Sequence, residues 1–129
     1  MQIGLKMGYI LSKKSKERLK GVDSSLIKLM EESIKESPYD FGITEGIRTP
    51  ERQKQLYDEG KSKTLKSKHL VGKAVDIAIL VDGNITWDKK YYQEVAEHIK
   101  KIAKKSGVDI RWGGEFKNFF DGPHFELKD

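Results

Sequence analysis

The stretch Ser67-Lys68-His69-Leu70-Val71-Gly72-Lys73-Ala74-Val75-Asp76-Ile77-Ala78-Ile79-Leu80-Val81 joins a polar segment to the most apolar run of the chain. From Ala74 onward the residues alternate as a strand does. Val75, Ile77, Ile79 and Val81 share one face, and Ala74, Asp76, Ala78 and Leu80 share the other. A carboxylate in mid-strand is costly unless a cation meets it, and the flanking alanines leave room for a bound group. Two readings of Asp76 follow: a metal ligand, or the partner of a lysine or arginine.

Working outward toward the C-terminus, Asp82-Gly83 reads as a hairpin turn and Ile85-Thr86-Trp87 as a short return strand. Asp88 caps a long helix to about Lys105, with Tyr92, Val95, Ala96, Ile99, Ile102 and Ala103 as its apolar stripe and Gly107 as its stop. His98 borders that stripe and reads as structural or solvated. Val108 to Trp112 reads as a strand broken by Gly113-Gly114. A last strand begins near Pro123, with His124 and Glu126 on one face and Phe125 and Leu127 toward the core.

Toward the N-terminus, a polar loop from Lys61 to Lys68 delivers His69. Thr49-Pro50-Glu51 opens a helix carrying Gln53, Gln55, Leu56 and Tyr57 and stopping at Gly60. A strand is expected from Phe41 to Arg48, with Phe41, Ile43 and Ile47 inward and Arg48 on the other face at its end. Asp23 caps a helix whose Leu26, Leu29, Met30 and Ile34 face a core and which ends before Pro38; a short basic helix over 12–20 precedes it, capped by Ser12 or Ser15 and stopped by Gly21. The expectation is an α+β fold: one domain over residues 1–129, with helices packed on a small, mostly antiparallel sheet.

The chain has no cysteine, which excludes thiolate zinc sites, disulfide frameworks and cysteine nucleophiles. Any metal must therefore be held by His, Asp or Glu. A net charge of +5 suits an anionic partner, though a solvated lysine-rich surface gives the same number. Met1 to Leu11 shows no signal-peptide h-region and no run approaches a membrane span, so the expectation is synthesis and retention in the cytosol and no stable membrane association.

His69, Asp76 and His124 make two histidines and a carboxylate, the open three-ligand set of a hydrolytic zinc site. No helix carries H-E-x-x-H, which excludes the helical zinc motif. Zinc in such a set lowers the pKa of a bound water to about 7. A general base is then needed, and Asp121, three residues before His124, is placed to serve, with Glu126 next and Glu115 third. Arg48 can line the cleft and stabilise an oxyanion, or pair at the surface with Glu45 or Glu51. Ser67 can bond substrate or merely shape the loop. Phe116, Phe119 and Phe120 either wall the cleft or belong to the core.

Ser67-x-His69-x-x-Gly72-x-Ala74-x-Asp76, followed by Asp121-Gly122-Pro123-His124-Phe125-Glu126, resembles the zinc peptidases related to D-alanyl-D-alanine carboxypeptidases. It is most similar to the short phage L-alanyl-D-glutamate endopeptidases that serve as endolysins. Ser37-Pro38-x-Asp40-Phe41, Glu45-Gly46-x-Arg48-Thr49-x-Glu51-Arg52-Gln53, Ile85-x-Trp87-Asp88 and Trp112-Gly113-Gly114 extend the likeness over nearly the whole chain. The resemblance implies a carboxypeptidase- and hedgehog-like fold, Zn2+ on His69, Asp76 and His124, Asp121 as catalytic carboxylate, and substrate or transition-state contact by Arg48 and Ser67. Many carboxypeptidase relatives have glutamate where Asp121 stands, whereas the phage-type members share the aspartate.

The resemblance thus implies a peptidoglycan hydrolase cutting the stem peptide between L-alanine and D-glutamate. D-Ala-D-Ala or other stem-peptide cleavage, and a zinc-bearing wall-binding module without catalysis, are the alternatives. Nucleic-acid binding is disfavoured, because the basic residues alternate with acids and lack aromatic interleaving. A monomer without a separate wall-binding domain is expected, reaching the wall from the host cytoplasm after holin-type release.

Overall fold

The structure, a computed structural model, describes residues 8–128. Part of the N-terminal stretch read above, residues 1–7, lies outside them. The described chain forms α1 (Lys13–Arg18), α2 (Ser24–Lys35), β1 (Asp40–Glu45), α3 (Pro50–Asp58), β2 (Ala74–Val81), β3 (Asn84–Thr86), α4 (Lys89–Ser106), β4 (Ile110–Trp112) and β5 (His124–Leu127), with 3-10 turns at Lys68–Val71 and Gly113–Glu115.

Helix starts follow the local signals. The side chains of Ser12, Asp23, Thr49 and Asp88 each accept a backbone N–H of the first turn they precede. These bonds satisfy donors that have no intrahelical partner, each contributing about 1 kcal/mol. The β2–β3 hairpin turns on Asp82 and Gly83, at φ 52° and 79°. Two successive left-handed residues match the twist of the flanking strands, which is why an Asp-Gly pair stands there.

The sheet is antiparallel throughout, in the order β1-β2-β5-β4. β2 is its centre: β1 takes one edge, while β5 pairs with Ala74–Asp76 and β3 with Ile79–Val81 along the other. Phe41, Ile43, Val75, Ile77, Ile79 and Phe125 join Leu26, Leu29, Met30 and Ile34 of α2 and Tyr92, Val95, Ala96 and Ile99 of α4 in one buried cluster. Phe125 is fully buried opposite Val75 and Trp112, so its truncation to alanine costs about 3–5 kcal/mol. The Tyr92 hydroxyl donates to the Thr86 carbonyl and accepts the Ile79 N–H, tying α4 to the hairpin. His98 Nε2 lies 2.8 Å from the Ser33 carbonyl, a structural link between α4 and α2.

Three sequence expectations are corrected. β1 ends at Glu45, where the register shifts between Ile43 and Glu45; Ile47 lies beyond it and is exposed rather than inward. The shift has a second effect. Strict alternation would set Glu45 on the core face with Ile43, but the bulge re-aims it to pair with Asp76. The return strand starts at Asn84 rather than Ile85, and β4 starts at Ile110 rather than Val108.

Candidate metal centre

Sheet register brings the first components together. Asp76 stands opposite His124 of β5 on one side and Glu45 of β1 on the other, so a carboxylate, a carboxylate and an imidazole form a row across three strands. His69 arrives from the first 3-10 turn rather than from an irregular loop. Ser67 caps that turn by accepting the His69 N–H at 3.2 Å, and the His69 carbonyl accepts the Arg48 N–H at 3.0 Å.

The hydrogen bonds decide which ring nitrogens are free. His69, 1% exposed, has Nδ1 2.8 Å from the Gly46 carbonyl, which can only accept. Nδ1 therefore carries the proton, and Nε2 keeps its lone pair. That Nε2 is buried without a hydrogen-bond partner, 3.3 Å from Asp76 Oδ1. His124 Nε2 lies 2.8 Å from Glu126 Oε1, which accepts its proton, and Nδ1 faces the same Asp76 oxygen at 3.2 Å.

One atom from each of His69, Asp76 and His124 thus lies within 4.8 Å of the other two. Ligands about 2.0–2.1 Å from a tetrahedral ion are separated by about 3.3–3.4 Å, close to the two distances measured to Asp76. The orphaned Nε2, the two ring nitrogens converging on one carboxylate oxygen and these separations fit a metal ion. Each histidine also donates its other N–H to an oxygen, the arrangement that orients imidazole ligands.

Proton equilibria reflect this crowding. Burial raises the Asp76 pKa, but the two imidazoles on its carboxylate lower it further, leaving it below the usual range. Burial lowers the His124 pKa, yet Asp76 and Glu126 on either side push it up to about 9. Asp121 is raised, first by burial and then by the negative charge of Asp76, against the pull of His124, His69 and Arg48.

Asp121 is held over the site by a turn. Its carbonyl accepts the His124 N–H at 3.1 Å, and its own N–H donates to the Gly113 carbonyl at 3.0 Å. Gly113 has no room for a side chain. A Cβ there would lie 2.2 Å from the Asp121 carbonyl oxygen and 3.0 Å from the Cβ of Asp121 and of His124. Gly113 is therefore the packing surface that sets the Asp121–His124 turn.

Arg48 lies between β1 and α3, its side chain 8% exposed. Nε and Nη2 donate to the two Glu45 oxygens at 2.7 and 2.8 Å, Nη1 donates to Gln53 Oε1 at 2.7 Å, and Nη2 comes within 3.6 Å of Asp76. Arg48 pairs with Glu45 in a partly buried rather than a surface ion pair, and it lines the cleft with His69, Asp76, Asp121 and His124. That cleft, about 570 Å³, is also bordered by Ser67, Glu126, Phe116 and Phe119. Glu115 is absent from its lining. It is exposed and paired with Lys100, which removes it from the candidate bases. Phe116 packs on the His124 ring at 5.5 Å and walls the cleft, whereas Phe120 is exposed beneath Lys89.

The sequence profile described as "Phage L-alanyl-D-glutamate peptidase" matches residues 7–128. The chain belongs to this family. It is 31% identical over 136 residues to the L-alanyl-D-glutamate peptidase of Escherichia phage T5, covering 94% of this chain and 99% of that protein. With the peptidoglycan L-alanyl-D-glutamate endopeptidase CwlK of Bacillus subtilis (strain 168) it shares 36% identity over 107 residues, 68% of this chain and 60% of CwlK. The crystal structure of the Serratia marcescens L-Ala D-Glu endopeptidase ChiX superposes with a TM-score of 0.87 at 33% identity, over 99% of this chain and 96% of ChiX. This peptidase fold is the α+β architecture expected from the sequence.

Residues that sequence reasoning left without a role here are Gly46, whose carbonyl selects the His69 tautomer, and Gln53, which meets Arg48. Glu126, weighed as a base, instead orients His124. The stretch Glu45-Gly46-x-Arg48-Thr49-x-Glu51-Arg52-Gln53 held the local hint of both residues, though not of the contacts they make.

Proposed function

We propose that this chain is a zinc-dependent peptidoglycan hydrolase that cuts the L-alanyl-D-glutamate bond of the stem peptide. The observation that carries the reading is the pair of imidazole nitrogens converging on one oxygen of Asp76, one of them buried with no hydrogen-bond partner. It is joined to membership of the family. His69, Asp76 and His124 would hold zinc, which would supply a Lewis acid for the scissile carbonyl and lower the pKa of the attacking water to about 7.

The remaining roles belong to the protein. Asp121, with its raised pKa, takes a proton from the attacking water and passes it to the leaving amine, a function worth about 10²–10⁴ in rate. Arg48 spends three donor bonds on Glu45 and Gln53, and its other N–H groups remain for the developing oxyanion. Ser67 uses an acceptor lone pair to cap the His69 turn, so its hydroxyl proton is left for substrate.

No helix among the described residues is long and apolar enough to cross a membrane. The reading extends to holin-type release from the host cytoplasm to the wall, where the positive charge of the chain favours the anionic polymer.

Digestion of purified peptidoglycan, with identification of the new amino terminus, tests the activity. New amino-terminal D-glutamate that disappears on chelation and returns with zinc is expected; free D-alanine as the product refutes the endopeptidase. Asp121→Asn should keep the metal and lose cleavage by about 10²–10⁴-fold, whereas a module that only binds the wall would be indifferent to it.

A further inference from the structure

The cleft has two unlike ends, and a chain of contacts orders them. Gln53, 1% exposed, donates from Nε2 to Ser62 Oγ at 2.8 Å and to the Thr64 carbonyl at 2.6 Å, while its Oε1 accepts from Arg48. Arg48 approaches Asp76, Asp76 meets His124, and the His124 ring abuts Phe116, with Phe119 5.3 Å farther on. One end is therefore the segment 61–66, anchored by a buried amide. The other end is aromatic.

Charge separates the two ends further. The acidic groups Glu45, Asp76, Asp121 and Glu126 gather around the candidate ligands, with Arg48 on Glu45 and Lys68 3.7 Å from Glu126. Among the cations of the lining, Arg48 is committed to Glu45, Lys61 lies 3.4 Å from Glu59, and the Lys68 ammonium donates to the carbonyls of Leu127 and Lys128. Lys63 and Lys66 also line the cleft, and neither has an ion-pair partner among the described residues. Lys63 and Lys66 are thus the cations of the lining left to receive a carboxylate that enters this cleft.

The bond between alanine and glutamate is asymmetric in the same sense. Whichever glutamyl carboxyl continues the peptide, the other remains as an anion on the leaving-amine side, and the alanyl residue offers only a methyl. Resting on the function proposed above, we infer that segment 61–66 is an anion subsite in which Lys63 and Lys66 receive the free glutamyl carboxylate. The alanyl side then lies toward Phe116 and Phe119. Gln53 is the positioning residue that ties this subsite to Arg48, so the carboxylate and the scissile carbonyl are registered against one buried amide.

The test uses two peptides that differ only in whether that glutamyl carboxyl is free or amidated. Cleavage is followed with the zinc-loaded chain, and binding by calorimetry with zinc-loaded Asp121→Asn. The acid peptide should bind and be cut with about tenfold advantage, as expected for two exposed charge contacts. Lys63→Ala with Lys66→Ala should remove that advantage through KM, with the loss falling on the acid peptide alone, and raised salt should shrink it in the parent chain. Equal handling of acid and amide by the parent chain, or equal loss of both in the double variant, overturns the subsite. Preferential binding of the acid peptide without cleavage of either would leave the subsite standing and sink the proposed hydrolysis; equal cleavage of both does the reverse.

Discussion

Glu126→Leu separates orientation of a ligand from ligation itself. Glu126 Oε1 accepts from His124 Nε2 at 2.8 Å, and its other oxygen lies 3.7 Å from the Lys68 ammonium. Leucine fills the space but leaves a buried N–H without an acceptor, at a cost of about 1–3 kcal/mol, and frees the ring to turn away from Asp76. Loss of such a carboxylate behind a histidine ligand lowers metal affinity by about 10–100-fold. An opposing effect reduces this. Glu126 also helps hold the proton that the metal must displace, so its removal eases that competition. The net expectation is about a tenfold weaker zinc affinity, or about 1.4 kcal/mol. Glu126→Gln, whose amide oxygen can still accept the proton, should fall between leucine and the parent chain. Competition against a chromophoric chelator at fixed pH measures this without reference to catalysis. Parent-like affinity in the leucine variant would refute the assignment of Glu126 as the orienting group.

Two further outcomes follow from the geometry. In the metal-free protein the His124 pKa is raised from 6.5 to about 9, so its contribution to stability is complete below pH 6.5 and is lost as pH rises through 9; that of Asp76, whose pKa is lowered, is present above 3.8 and lost in acid. Urea unfolding with chelator present should show the advantage of the parent chain over His124→Gln declining between pH 6.5 and 9, while stabilisation by added zinc grows over that interval; a constant difference would contradict it. Gly113→Ala places a methyl 2.2 Å from the Asp121 carbonyl oxygen, so a loss of about 1–3 kcal/mol in stability is expected, with kcat falling because Asp121 must move. A thermal melt paired with kinetics checks both, and unchanged kcat would mean that Gly113 does not set the Asp121 turn.

What was legible in the sequence was what local chemistry specifies. The caps at Ser12, Asp23, Thr49 and Asp88, the Asp82-Gly83 turn and the span of β2 all rest on interactions within a few residues, and the structure reproduces them. The candidate ligands were legible for a related reason. Strand parity alone puts Asp76 on the face opposite Ile77 and puts His124 with Glu126, and any register that buries the apolar faces brings those polar faces together. Orientation was not legible, because it depends on groups far apart in the chain. The Gly46 carbonyl that fixes His69, the bulge that re-aims Glu45, and the Gln53 amide that joins Arg48 to Thr64 are backbone or tertiary features with no local pattern. The error at Ile47 has the same origin: alternation was extended through a bulge it could not see. Side-chain chemistry therefore nominates the ligands, while the Gly46 carbonyl for His69 and the Glu126 carboxylate for His124 decide which ring nitrogens they present, and the first of these leaves His69 Nε2 buried, unpartnered and aimed at Asp76.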